Sequence, residues 1–164
     1  NIRMRIILAK TGEIKEGYAD WDDKVIRIKE KWVLGDPSII IHEMIHQLQF
    51  SLCGGSAYMR SDFERNIEFE AYLIMDISMA EAWLKQGMIP DASKLHFLYG
   101  VDDTVLVMDY INFLCRVYER TISKEEFVSE FNRFAEKFEA YLGAEYSPSG
   151  TPSLIFSLWP FVWY

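Results

Sequence analysis

At 164 residues, half of them hydrophobic, the chain has enough apolar surface for one globular core. Its net charge of −8 and the lack of any basic stretch exclude nucleic acid as a partner, because no cluster of Lys and Arg is available to neutralise phosphates. No uninterrupted apolar run reaches bilayer-spanning length and no secretory leader is recognisable, so a soluble domain without an integral membrane segment is expected, its compartment left open.

The first thirty residues carry a period of two. Met4, Ile6 and Leu8 alternate with Arg3, Arg5 and Ile7. After Gly12, the segments Glu13 to Ala19 and Lys24 to Glu30 flank turn-forming Asp22-Asp23, which suggests a hairpin. Ile26 and Ile28 are expected to face a core, with Arg27 and Lys29 towards solvent. Residues 1–31 therefore read as a small antiparallel sheet ahead of a mainly helical chain, an α+β class.

The period then changes to that of a helix. Asp36-Pro37-Ser38 offers a capping carboxylate and a proline at the first helical position, and Gly54-Gly55 offers a left-handed stop after Cys53. Ile40, Ile41, Met44, Ile45, Leu48 and Leu52 give this helix a broad apolar surface, while His42, His46 and Gln49 follow one line. Polar side chains set in that way into a buried helix suit a metal site. In His42-Glu43-Met44-Ile45-His46 the two imidazoles lie one turn apart on one face, so their nitrogens can converge on a single ion. Glu43, about 100° further round the helix, is kept out of the ligand set yet near enough to take a proton from a metal-activated water. The same pattern also fits a core helix with hydrogen-bonded histidines and a solvated glutamate.

Catalytic zinc normally has three protein ligands and leaves a fourth position to water, so a third Asp, Glu or His is required. The next helix opens with a capping box at Ser61 and Glu64 and runs to Gly87. The intervening loop of residues 54–60 is short, which favours antiparallel neighbours and lets a glutamate in the second turn face the histidines. Glu68 and Glu70 are both candidates. They lie about 200° apart around the helix, so both cannot face one metal, and helix geometry does not choose between them.

His42-Glu43-x-x-His46 followed 22 positions later by Glu68-x-x-Ala71 resembles the gluzincin branch of the zincin metallopeptidases. The resemblance covers about residues 37 to 80. It implies that His42, His46 and Glu68 bind Zn2+, that Glu43 is the general base, and that the fold is zincin-like. It further implies a sheet above the active-site helix whose edge strand pairs with an extended peptide. Several such families place Asp or Asn four residues after the ligand glutamate to hold a ligand histidine; here that position is Tyr72, with Asp76 one turn further on. A Tyr or His outside the motif often steadies the tetrahedral intermediate, and Tyr58, His96 and Tyr99 are candidates without a spacing argument; each equally suits a packing or surface position.

The second half is helical and chemically plainer. Asp102-Asp103 starts a helix through Arg120, and Ser123-Lys124-Glu125-Glu126 is a capping box opening another that is expected to stop at Gly143. Phe127, Phe131, Phe134, Phe138 and Tyr141 recur at helical spacing, a stripe that belongs in a core. Ser147 to Pro152 is a turn-rich break before an apolar end, Leu154 to Tyr164, expected to pack back over that stripe. Cys53 and Cys115 are too few for a disulfide framework and read as buried free thiols.

Together these features describe a single domain: sheet portion 1–31, metal-site helix pair 36–87, and helical portion 88–164 with an aromatic tail. The expected activity is hydrolysis of a peptide or protein substrate by metal-activated water, Glu43 acting as base. The alternative is a catalytically silent zincin-fold binding module that retains zinc. Intact Glu43 favours the enzyme, because neither binding nor structural zinc needs a base at that position.

Overall fold

In the computed structural model, the residues described are 5–10, 19–21, 25–29, 36, 38–53, 64–138, 147–148 and 150–162. They fall in two compact units, residues 1–59 and 60–164.

Among its described residues, the first unit has the strands β1 (Arg5–Ala9), β2 (Ala19–Trp21) and β3 (Val25–Lys29) and the helix α1 (Ser38–Cys53). β3 is central: β2 pairs with it antiparallel, Trp21 opposite Ile26, and β1 pairs with it parallel, Ile6 opposite Ile26. The sheet is thus mixed and not antiparallel throughout. Two reversals between β1 and β3 return the chain to its first direction, so inserting β3 between its predecessors makes the pairing with β1 parallel. Alternation places Ile26 and Ile28 fully inside, with Arg27 and Lys29 half-buried on the other face. α1 packs against β3. Its start is held by Asp36, whose carboxylate accepts from the Ser38 backbone N–H at 2.9 Å and from the Ser38 hydroxyl at 2.7 Å.

The second unit is helical: α2 (Glu64–Leu84), a 3₁₀ turn (Ala92–Lys94), α3 (Thr104–Glu119), α4 (Lys124–Glu136) and α5 (Ser153–Val162). α2 lies against α3, α4 and α5. It ends in a Schellman motif, with Met88 N–H donating to Trp83 O and Gly87 N–H to Leu84 O, and Gly87 takes the left-handed φ of +71° that the motif requires. Asp103 caps α3 by accepting from the N–H groups of Val105 and Leu106, and Ser123 with Glu126 forms the reciprocal capping box of α4. Ser61 lies outside the described residues.

The expected stop of α4 at Gly143 is corrected: the helix ends at Glu136. Lys137 and Phe138 donate to Phe134 O and Ala135 O, tightening the last turn to i→i−3 bonds, and Phe138 turns into the core. Gly143 and Tyr141 are outside the described residues. Phe127, Phe131, Phe134 and Phe138 are all buried, as a core stripe should be. At their centre sits Phe97, whose ring centroid is 4.4 Å from that of Tyr110 and 5.4 Å from those of Phe69 and Phe134. The apolar end packs inward through Leu154 and Ile155, both buried, and Phe156, whose ring lies 6.0 Å from Phe127. Side chains beyond Leu158 are outside the described part. No helix among the described residues is long and apolar enough to cross a membrane.

Candidate metal centre

α1 buries an unusual run of polar side chains. His42, Glu43, His46, Gln47 and Gln49 are all below a tenth exposed. Burying so many polar groups costs free energy unless each meets a partner or a ligand, so a helix that does this is built around a polar task. Helical spacing of four stacks the two imidazoles, with ring centroids 4.4 Å apart and planes 88° to each other. Their Nε2 atoms approach to 2.9 Å.

Gln49, one turn beyond His46, sets the tautomer. Its Oε1 lies 2.7 Å from His46 Nδ1. A carbonyl oxygen can only accept, so Nδ1 carries the hydrogen and the Nε2 lone pair of His46 is directed towards His42. Two nitrogens each bound to one tetrahedral zinc at 2.0–2.1 Å stand about 3.3 Å apart. Opening the observed spacing by a few tenths of an ångström reaches that value, so the pair fits two adjacent ligand positions. The Gln49 carbonyl on Nδ1 is the outer hydrogen bond that metal-ligating imidazoles commonly make. Glu43 is 6% exposed and sits on the turn between the rings.

The carboxylate candidates lie in the second unit, on α2. Glu70 is fully buried, and its Oε1 accepts from the backbone N–H groups of Leu154 at 2.8 Å and Ile155 at 3.0 Å. It therefore caps the first turn of α5, where the positive end of the helix dipole favours a carboxylate. Glu68 is half-buried and roughly on the opposite side of α2. This division of roles distinguishes two glutamates that helix geometry leaves equivalent in sequence.

Asp76 has a role of its own. Wholly buried, it accepts four hydrogen bonds: Oδ1 from His96 N–H at 2.7 Å and His96 Nδ1 at 2.8 Å, Oδ2 from Phe97 N–H at 3.0 Å and the Tyr110 hydroxyl at 2.9 Å. Burial first, and the Asp76 charge second, hold the Tyr110 phenol well above its ordinary range, so it stays a donor. The Tyr72 ring lies 5.6 Å from that of His96, tilted, and 5.5 Å from that of Phe138, edge-on. Tyr99 is 89% exposed, which suits a surface position, and Tyr58 is outside the described residues. Cys53 and Cys115 are not joined in a disulfide and are half-buried, where buried positions were expected. Burial and the nearby Glu119 push the Cys115 thiol up, away from reactivity. A cavity of about 420 Å³ lined by Ile77, Leu114, Val117, Lys85 and Arg120, among others, contains none of the residues singled out from sequence.

Gln49 stood on the histidine line in the sequence without an assigned task, and its spacing of three from His46 was the available signal. Asp76 and Glu70 offered no comparable signal for what they bind, since their partners lie 20 to 85 residues away. Compared with protein-family models, curated proteins and solved structures, the chain matches none.

Proposed function

We propose that the protein is a zinc-dependent peptidase of gluzincin type, with His42, His46 and Glu68 as metal ligands and Glu43 as general base. The observation that carries this reading is the buried His42–His46 pair, its Nε2 atoms 2.9 Å apart and one tautomer fixed by Gln49, with Glu43 buried on the same turn of helix. Two imidazoles and one carboxylate are a donor set that suits zinc and would leave a position for water in a four-coordinate site. Glu70 is engaged in capping α5, which supports Glu68 as the carboxylate of the set. Zinc held there would supply Lewis acidity to a scissile carbonyl and lower the pKa of the attacking water.

The chain's own residues account for the remaining steps. Glu43 takes the proton of the attacking water and passes it to the departing amine. Its burial keeps bulk water from competing for that proton. Gln49 keeps the His46 lone pair directed at the metal position throughout. Neither zinc storage nor a structural ion requires a carboxylate beside the first histidine, whereas hydrolysis does.

Replacing Glu43 separates chemistry from binding. Glu43→Gln should retain zinc and fold while lowering hydrolysis of a peptide-library or denatured-protein substrate by about 100-fold or more. Equal cleavage by wild type and variant removes Glu43 from the mechanism. A wild type that holds zinc and cleaves nothing across a broad library favours the zinc-retaining binding module.

A further inference from the structure

The first turns of α2 are gripped from one side by the segment that leads into α5. Asn66 and Glu70, four residues apart, share a face of the helix, and Glu68 between them points roughly the opposite way. Asn66 reads one residue of that segment twice: its Oδ1 accepts from Ser147 N–H at 2.9 Å, and its Nδ2 donates to Ser147 O at 3.0 Å. The same Nδ2 donates to Asn132 Oδ1 at 3.3 Å, and Asn132 Nδ2 donates to Gly150 O at 2.9 Å. One turn on, Glu70 receives the N–H groups of Leu154 and Ile155. Gly150 seals the arrangement, because a Cβ there would stand 2.4 Å from Asn66 Nδ2 and 2.9 Å from Asn66 Cγ. Asn66 is buried and already bonded on both sides, so it has no room to yield.

Apolar packing is non-directional and leaves a helix free to rotate by small amounts, whereas hydrogen bonds fix its angle about its axis. A metal ligand needs that angle held, since displacement of a fraction of an ångström loosens a coordination site. We infer that Asn66 and Glu70 are positioning residues for Glu68: by anchoring α2 to Ser147, Leu154 and Ile155, they set the direction in which Glu68 presents its carboxylate to zinc. The inference rests on Glu68 being the third ligand. It gives the C-terminal helix a part in the metal centre that its apolar composition does not announce.

Zinc affinity measured by chelator competition on the full chain, with the visible spectrum of the cobalt-substituted protein, tests this. Glu70→Ala and Gly150→Ala should each weaken zinc by about tenfold or more and shift the cobalt bands, although neither change touches a ligand. Glu70→Gln should keep both near wild type, because its amide oxygen still accepts from Leu154 and Ile155; this separates geometry from charge. Val117→Ala, a buried α3 position, serves as the comparison, lowering the melting temperature without altering affinity. Should Glu70→Ala fail to fold, Gly150→Ala carries the test. Wild-type affinity and an unshifted cobalt spectrum in the folded variants overturn the inference, as does an equal loss in Val117→Ala. A wild type that takes up no metal overturns the proposed function itself, and this inference with it.

Discussion

Gln49 and Asp76 show how single side chains impose order on the histidines of this protein. Gln49 fixes the His46 tautomer at a cost of one buried amide, so its removal should release the ring without removing a ligand. Gln49→Ala is expected to weaken zinc by about 10- to 100-fold, read by chelator competition, and an unchanged affinity would deny the amide its orienting role. Asp76 stabilises the second unit by collecting four donors from two other stretches of chain. Asp76→Ala removes the acceptor of two buried donors, Phe97 N–H and the Tyr110 hydroxyl, at about 1–3 kcal/mol each, and of two part-buried ones on His96, so the melting temperature should fall by about 10 °C. A thermal scan showing a loss of only a degree or two would mean that water replaces the carboxylate. The His42, Glu43, His46 constellation was legible in sequence because one helix turn sets its geometry. Asp76 was visible only as a residue one turn beyond Tyr72, since nothing local indicates a fold that returns His96 and Tyr110 to it.

Helix starts were legible for the same local reason: Asp36, Asp103 and Ser123 each accept hydrogen bonds from the backbone a few residues on. The end of α4 was not, because Phe138 is drawn into the rings of Phe69 and Tyr72 and a tertiary contact overrides the periodicity that ran on to Gly143. The parallel pairing of β1 with β3 was hidden for a related reason, since strand order is a property of the whole sheet. The inward packing of Leu154, Ile155 and Phe156, by contrast, followed from the apolar composition of their segment. Removing everything after Thr151 exposes the surface that Leu154 and Ile155 cover, worth about 2–3 kcal/mol for each, and strips the buried Glu70 of both its α5 donors. The truncated protein should melt far lower or precipitate. One that remains soluble, monomeric and equally stable would show α5 to be a detachable segment with no part in the core.

For the molecule as a whole, the acidic balance argues against nucleic acid as a partner, and the proposed chemistry draws on α1 and on one carboxylate of α2. The two units differ in how they are built. The second has a continuous aromatic core around Phe97, whereas the described residues of the first form a small sheet and the helix α1, which carries buried polar residues. Zinc is therefore expected to matter most where apolar burial contributes least. X-ray absorption at the zinc edge of the reconstituted wild-type protein addresses the central claim most directly. One zinc per chain is expected, with only nitrogen and oxygen neighbours at about 2.0–2.2 Å and the outer-shell scattering of two imidazole rings. A protein that retains no zinc after reconstitution, or a shell containing sulfur at about 2.3 Å, would contradict it.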